Sequence, residues 1–397
     1  MTALAGARYF RLVMNGLQTR AHDIEEDDMR GAVIAQYTQP LEVRDLPDPS
    51  PGPVDAIIET EACGICRSDW HLWQHHWTWL GLELALPRVP GHEFGGTIVE
   101  VGSDVKQFRV GDRVTVPFHL GCGHCDLCRA GRYNLCLAYG CIGIHHDGGY
   151  GSLVKVPSAD TTLVRLPEGV DSLTAAALGC RFMTSYHGIV DQAAVRPGEW
   201  VAVFGIGGIG ISAVQIAAAL GARVIAVGRS EDKLAMARQQ GAEAIVLAGP
   251  DAPAHIIEIT KGGAAVTVDA LGSNETTLPA LRALGKYGRH LQVGLTGPQE
   301  AGVMPIPMDV VVFNELRIVG SLGCPIASYT GMLSMVAAGK LQPRRLVEKV
   351  VSVHEAGAML DHMTNYNTLG FSVINNWVEG ATSAGKEATW KNTLVAV

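Results

Sequence analysis

The stretch A-C-G-I-C-R-S-D-W-H, Ala62 to His71, sets a thiol (Cys66), a hydroxyl (Ser68), a carboxylate (Asp69) and an imidazole (His71) within six residues. Two short pieces far along the chain carry matching chemistry: Gly91-His92-Glu93 and Leu178-Gly179-Cys180. Cys66, His92 and Cys180 together form a Cys₂His set. Zinc takes four ligands, so three from the protein leave one position open, as a catalytic zinc needs and a structural one does not. A buried thiol or a satisfied core histidine is the plainer account of each residue alone. The three in these contexts, with a separate cysteine cluster between them, favour metal.

That cluster is Cys122, Cys125, Cys128 and Cys136, spaced C-x₂-C-x₂-C-x₇-C. Four thiolates on one short loop can close a tetrahedral site with no vacant position, so a zinc here is structural. An iron–sulfur cluster could use the same ligands, although nothing else in the chain points to electron transfer. Cys63, Cys141 and Cys324 are left without a role. A third motif, G-I-G-G-I-G, contains Gly205, Gly207, Gly208 and Gly210. Alone it is weak. Here it follows an apolar run, Trp200 to Phe204, and opens a helical pattern reaching Leu220, the setting in which glycines let a backbone approach a pyrophosphate at a helix N-terminus.

The elements that must position these groups fall into two grammars. From Met29 to about Val156 the chain is short strands and turns rich in Gly and Pro, which predicts an antiparallel, partly barrel-like domain. From about Arg181 strands and helices alternate: Trp200 to Phe204, Arg223 to Val227, Ala244 to Leu247, Val266 to Ala270, His290 to Gly294 and Arg317 to Gly320 read as strands of a parallel sheet. A helix from Ile326 to Ala338 and short strands to Trp377 then return to the first domain. The expected division is an extension at 1–28, a catalytic domain at 29–180 and 323–377, a dinucleotide-binding domain at 181–322, and a tail at 378–397. The extension ends in an acidic run, H-D-I-E-E-D-D. Trp70, Trp73, Trp77 and Trp79, with His75 and His76, follow the first metal motif; they are core or interface, or in part the wall of a substrate cleft.

At 397 residues the chain exceeds one ordinary core, so two domains are expected. Hydrophobic residues at 47% and charged ones at 18% describe a well-filled globule. A net charge of −8 offers no basic face for nucleic acid. Trp200 to Ala222 runs 23 residues without a charge, long enough to span a bilayer. Its glycines sit where a strand should turn into a helix, so it reads as buried strand, loop and helix. With no signal-peptide layout and four of nine cysteines clustered, metal is a better reading than disulfides, and the expected location is cytoplasmic.

A zinc with an open position beside a dinucleotide fold suggests hydride transfer at a carbon bearing oxygen, the metal making an alcohol easier to deprotonate. On these motifs the chain from Met29 to Trp377 resembles the zinc-containing medium-chain alcohol dehydrogenases. The resemblance implies an α/β architecture: a Rossmann cofactor domain plus a mainly antiparallel, GroES-like β-barrel catalytic domain with a structural-zinc loop. It implies two zincs per chain, NAD(P), a small alcohol or aldehyde as substrate, and a homotetramer or homodimer. It further implies that Glu93 lies beside the catalytic zinc and ligates transiently, and that Asp69 orients His92. Ser68 accepts the alcohol proton and passes it through the ribose to His71 at the surface, Arg67 meets the pyrophosphate, and Thr184 lies near the nicotinamide. A polyol, an amino alcohol or aldehyde dismutation stays open on the same fold, as does a binding protein that lost catalysis. The intact Cys66, Ser68, His71, His92 and Cys180 speak against that last reading.

Two departures from the family stand out. Where an acidic residue often follows the second strand, this chain has Gly228-Arg229-Ser230. An acid there holds the ribose hydroxyls of NAD and repels the 2′-phosphate of NADP. Its loss, with Arg229 and Ser230 in reach, leans to NADP. Ser230 could equally cap the next helix, and Lys233 could serve the ribose of either cofactor. Near the end, Gly370-Phe371 stands where the family often has Gly-Arg or Gly-Lys for the pyrophosphate.

Overall fold

The computed structural model describes residues 28–378. The expectations for the leader and the tail fall outside them, apart from Asp28 and Val378. Strand Trp200–Phe204 ends at Gly205, whose φ of +88° turns the chain into helix Gly208–Ala219. A Cβ on Gly210 would lie 1.9 Å from the Gly205 carbonyl oxygen, so the helix can start this close to the strand only with glycine there. Six parallel strands lie in the spatial order Ala244–Leu247, Arg223–Gly228, Trp200–Phe204, Ala264–Asp269, Leu284–Gln292 and Arg317–Gly320. The order reverses beside Trp200–Phe204, which puts the ligand crevice of a doubly wound sheet at Gly205. The uncharged stretch is thus a strand covered on both faces followed by a twelve-residue helix buried from Gly210 to Ala217. No helix among the described residues is long and apolar enough to cross a membrane.

The other large sheet is mostly antiparallel. Its central strand, Ala56–Ile65, pairs with Phe94–Val101, Leu153–Val156 and Phe371–Asn376. The register Ser372↔Ile65 and Ile374↔Cys63 anchors the end of that central strand, one residue before Cys66, against the last part of the chain. Trp70, Trp73 and Trp77 are buried in this domain's core and only Trp79 stays half-buried, so most of the tryptophan patch is packing. A second core runs from the parallel sheet through helix Cys180–His187 to helix Ile326–Ala337.

Candidate active site

Cys66 is the N-cap of helix Arg67–Trp73. The helix starts there because Asp69, its third residue, closes a capping box: Asp69 Oδ2 accepts from the Cys66 backbone N–H at 3.0 Å. The other carboxylate oxygen of Asp69 is 3.0 Å from His92 Nδ1, and the Tyr150 hydroxyl donates to Oδ2 at 3.3 Å. Asp69 is fully buried, so it fixes the ring of His92 and, with the hydrogen on Nδ1, leaves the Nε2 lone pair free to bind a metal. Cys180 is the first residue of helix Cys180–His187, and Gly179 is its N-cap. A Cβ on Gly179 would sit 2.4 Å from Glu93 Cβ; glycine lets the two metal-motif segments meet.

The ligand atoms of Cys66, His92, Glu93 and Cys180 all lie within 4.8 Å of one another. Contact with Cys180 first, and then with His92, lowers the Cys66 thiol well below its usual range against burial, while Cys66 and burial raise Cys180. This donor set suits zinc. Glu93 is gripped by Arg181, whose backbone N–H and Nε each donate to Oε1 at 3.0 Å and whose Nη2 pairs with Oε2. Burial pushes the Glu93 carboxyl up to about 7 against the pull of Arg181. The Arg181 guanidinium also lies 3.9 Å over the Phe371 ring.

Among the four clustered thiols, Cys122 Sγ and Cys128 Sγ are 4.0 Å apart, and Cys125 Sγ and Cys136 Sγ 3.9 Å. A tetrahedron of zinc–sulfur bonds of about 2.3 Å needs sulfurs about 3.8 Å apart, so the loop is already the right size. Backbone N–H groups, Leu137 first and then Cys128, pull Cys125 down to about 6.

At the mouth of the parallel sheet, Gly207, Gly208, Lys233 and Gly370 line a cleft with Ile206 and Thr368. Arg67 sits between the Tyr366 ring at 3.8 Å and the Trp70 ring at 4.3 Å, and its Nη1 donates to the Met363 carbonyl at 2.7 Å. Its Nη2 is buried without a partner among the described residues, as is the Thr184 hydroxyl. Lys233 donates to the Tyr366 carbonyl at 2.5 Å and is lowered by burial and then by Arg67 and Arg229, so three cations share one region. Orphaned donors, clustered cations and a glycine turn suit a dinucleotide phosphate. Gly228 is buried, Arg229 is exposed, and Ser230 caps helix Glu231–Gln239 by accepting from the Lys233 N–H.

Residues 52–168 match the alcohol dehydrogenase GroES-like domain family, and residues 208–338 the zinc-binding dehydrogenase family. An alcohol dehydrogenase of Geobacillus stearothermophilus is 34% identical over 328 residues, 82% of this chain and 94% of its own. The chain belongs to the zinc-containing medium-chain alcohol dehydrogenase family. A NAD-dependent alcohol dehydrogenase of Sulfurisphaera tokodaii is 34% identical over 354 residues, 87% of this chain and 99% of its own. A solved protein of Sinorhizobium meliloti with NADP bound superposes with a TM-score of 0.76 at 30% identity, covering 88% of this chain and 100% of that one. The fold expectation holds in both halves, and the reaction is zinc-dependent oxidoreduction between an alcohol and a nicotinamide dinucleotide.

Within this alcohol dehydrogenase several residues were not legible in the motifs. Arg181 follows Cys180 directly, yet only the fold sets it against Glu93. Ser68 Oγ lies 3.6 Å from Cys66 Sγ. His71 stacks on Trp77 at 4.5 Å and shares a 3.0 Å hydrogen bond with His76, a residue singled out only as part of the aromatic patch. Phe118 stands edge-on to His92 at 5.4 Å, and the Tyr139 hydroxyl is 3.2 Å from His119 Nδ1. Neither carries a motif; an aromatic pair at a strand end gives no chemical signal by itself.

Proposed function

We propose that Cys66, His92 and Cys180 hold the catalytic zinc and that Cys122, Cys125, Cys128 and Cys136 hold a second, structural one. When bound, the first supplies a Lewis acid and the nicotinamide a hydride acceptor. In the oxidising direction an alcohol and NAD(P)⁺ give a carbonyl compound, NAD(P)H and a proton. Ser68 takes the hydroxyl proton and His71 carries it outward; Asp69 keeps His92 in the tautomer that ligates through Nε2. Glu93, held by Arg181 within reach of the ligand set, is positioned for transient ligation. The convergence of the Cys₂His set on one point, with Asp69 behind the histidine, carries this reading. Metal analysis should give two zincs per chain, and Cys66→Ala should retain one, stay folded and lose turnover. One zinc in the wild type, or iron, overturns it.

For the cofactor we infer a preference for NADP. Gly228 offers no carboxylate, and the exposed Arg229 joins Lys233 and Arg67 in a region of positive charge. The Ser230 hydroxyl is used as a helix cap, so Arg229 carries the preference. A charge-assisted bond of about 1.5–3 kcal/mol corresponds to roughly tenfold to a hundredfold. The ratio of kcat/KM for NADP over NAD should therefore exceed one and fall at least tenfold in Arg229→Ala. A wild type that prefers NAD tenfold ends the reading.

Two copies are proposed to pair through the free edge of the parallel sheet. Among the described residues strand Arg317–Gly320 is the last in its sheet, and shortly before it in the chain helix Met308–Phe313 exposes Phe313 by 85% and Val312 by 69%. Such apolar surface, with unpaired backbone, favours burial against a second copy.

A further inference from the structure

We propose that His76 is the last member of the proton path, taking the proton from His71 and handing it to water. The inference rests on the reading of Ser68 and His71 given above. It starts from the 3.0 Å contact between His71 Nδ1 and His76 Nδ1. Two like nitrogens at that distance form a hydrogen bond only when one carries hydrogen and the other does not, so the contact ties the tautomer of one ring to that of the other. With the hydrogen on His71 Nδ1, Nε2 of that ring is bare and can accept. A proton arriving there makes His71 Nδ1 give its hydrogen to His76 Nδ1, and His76 Nε2–H releases one to water. One proton enters, one leaves, and neither ring gains charge. In the reducing direction the same steps run backwards.

The surroundings are built for passage rather than storage. His71 stacks on Trp77 at 4.5 Å, and Trp70 stands edge-on to both imidazoles at 4.9 and 5.3 Å, so the rings are held in register. Trp77 is itself pinned by its indole N–H, which donates to the Thr296 carbonyl at 3.0 Å. Burial, then Arg67 and His76, push His71 down to about 3, with Cys66 acting the other way, so a proton on it is passed on. His76 is lowered by burial, Arg67 and His75 as well, but protein surrounds it less than His71. His76 is therefore the exit.

The plain alternative is that the pair only braces Trp77. His76→Ala separates the two. In single turnovers of alcohol oxidation, hydride transfer and proton release to an indicator dye should slow about tenfold or more, toward the 10²-fold expected of a lost acid–base group. Added 2-methylimidazole should restore the rate in a saturable way in His76→Ala and leave wild type and His71→Gln unchanged. His76→Ala should add little to His71→Gln, since the path is already cut. Nitrogen NMR of the wild type should find His71 neutral and protonated at Nδ1. A folded, zinc-replete His76→Ala with wild-type proton release, or a loss that 2-methylimidazole does not restore, overturns the proposal while a slow His71→Gln leaves the Ser68–His71 reading intact. Wild-type turnover in both Ser68→Ala and His71→Gln overturns the two together.

Discussion

Arg181 is the residue on which the centre of the site depends most. Glu93 and Arg181 are both buried, and breaking a buried ion pair by removing one partner costs about 3–5 kcal/mol because the other charge is left uncompensated. Arg181→Met is thus expected to lower the melting temperature sharply. Adding Glu93→Gln to that variant should recover most of the loss, since no charge then remains buried alone. Thermal unfolding of the two variants checks this; equal melting temperatures for the single and double variants count against it. The same pair bears on the missing cation near the C-terminus. Phe371 replaces the family's cation there, and the Arg181 guanidinium over its ring at 3.9 Å is already paired with Glu93, so it supplies no free charge at that point.

At the scale of elements, the loop from Cys122 to Cys136 contains only the one-turn helix Asp126–Arg129 and the short turn Tyr133–Leu135. So little regular structure has few contacts of its own to hold it, and a closed metal site couples ligand binding to folding. Cys125→Ala should lower the melting temperature and remove one metal per chain while leaving the other bound. Loss of both metals with an unchanged melting temperature would contradict this. Helix Arg67–Trp73 makes a different demand, because Asp69 both caps it and orients His92. Asp69→Ala should cost about 0.5–2 kcal/mol for the cap and weaken zinc about 10–100-fold through His92; competition with a chelator measures the second effect.

For the whole molecule, the exposed edge and acid stability give two measurable consequences. Phe313→Asp puts a charge into the proposed contact between copies and should shift sedimentation toward the monomer with the site unchanged. His119 is buried, and burial followed by His92 and His187 pushes it down to about 3. In the unfolded chain it titrates near 6.5, so between those values the unfolded state binds the extra proton. Stability therefore falls as pH drops below about 6.5, by up to ~1.4 kcal/mol per pH unit for one such group. His119→Gln should flatten that slope by about one proton in denaturant titrations at several pH values; an unchanged slope would place the effect elsewhere.

The sequence by itself determined the chemistry-bearing residues and the change from antiparallel to parallel grammar. Cysteine spacing, a glycine turn after an apolar strand, and strands such as Ala244–Leu247 are local signals, and the structure has them at the same positions. Boundaries drifted where local signals weaken. The strand read as His290 to Gly294 runs from Leu284 to Gln292, because Gly285, Lys286 and Gly288 hide its period. Tertiary structure alone decided the contacts between distant segments. Glu93 meets Arg181 from 88 positions away, and Trp77 bonds Thr296 from 219. Phe371–Asn376 pairs beside Cys66 because a strand partner is chosen by the sheet's open edge and not by any motif. Sequence alone places His71 at the surface end of the relay; in the structure Trp77 stacks on it and His76 bonds it, an arrangement fixed by how the segment after helix Arg67–Trp73 folds back. Spacing along a chain reports which groups can share a turn; which groups share a pocket depends on packing, where sequence distance carries no information.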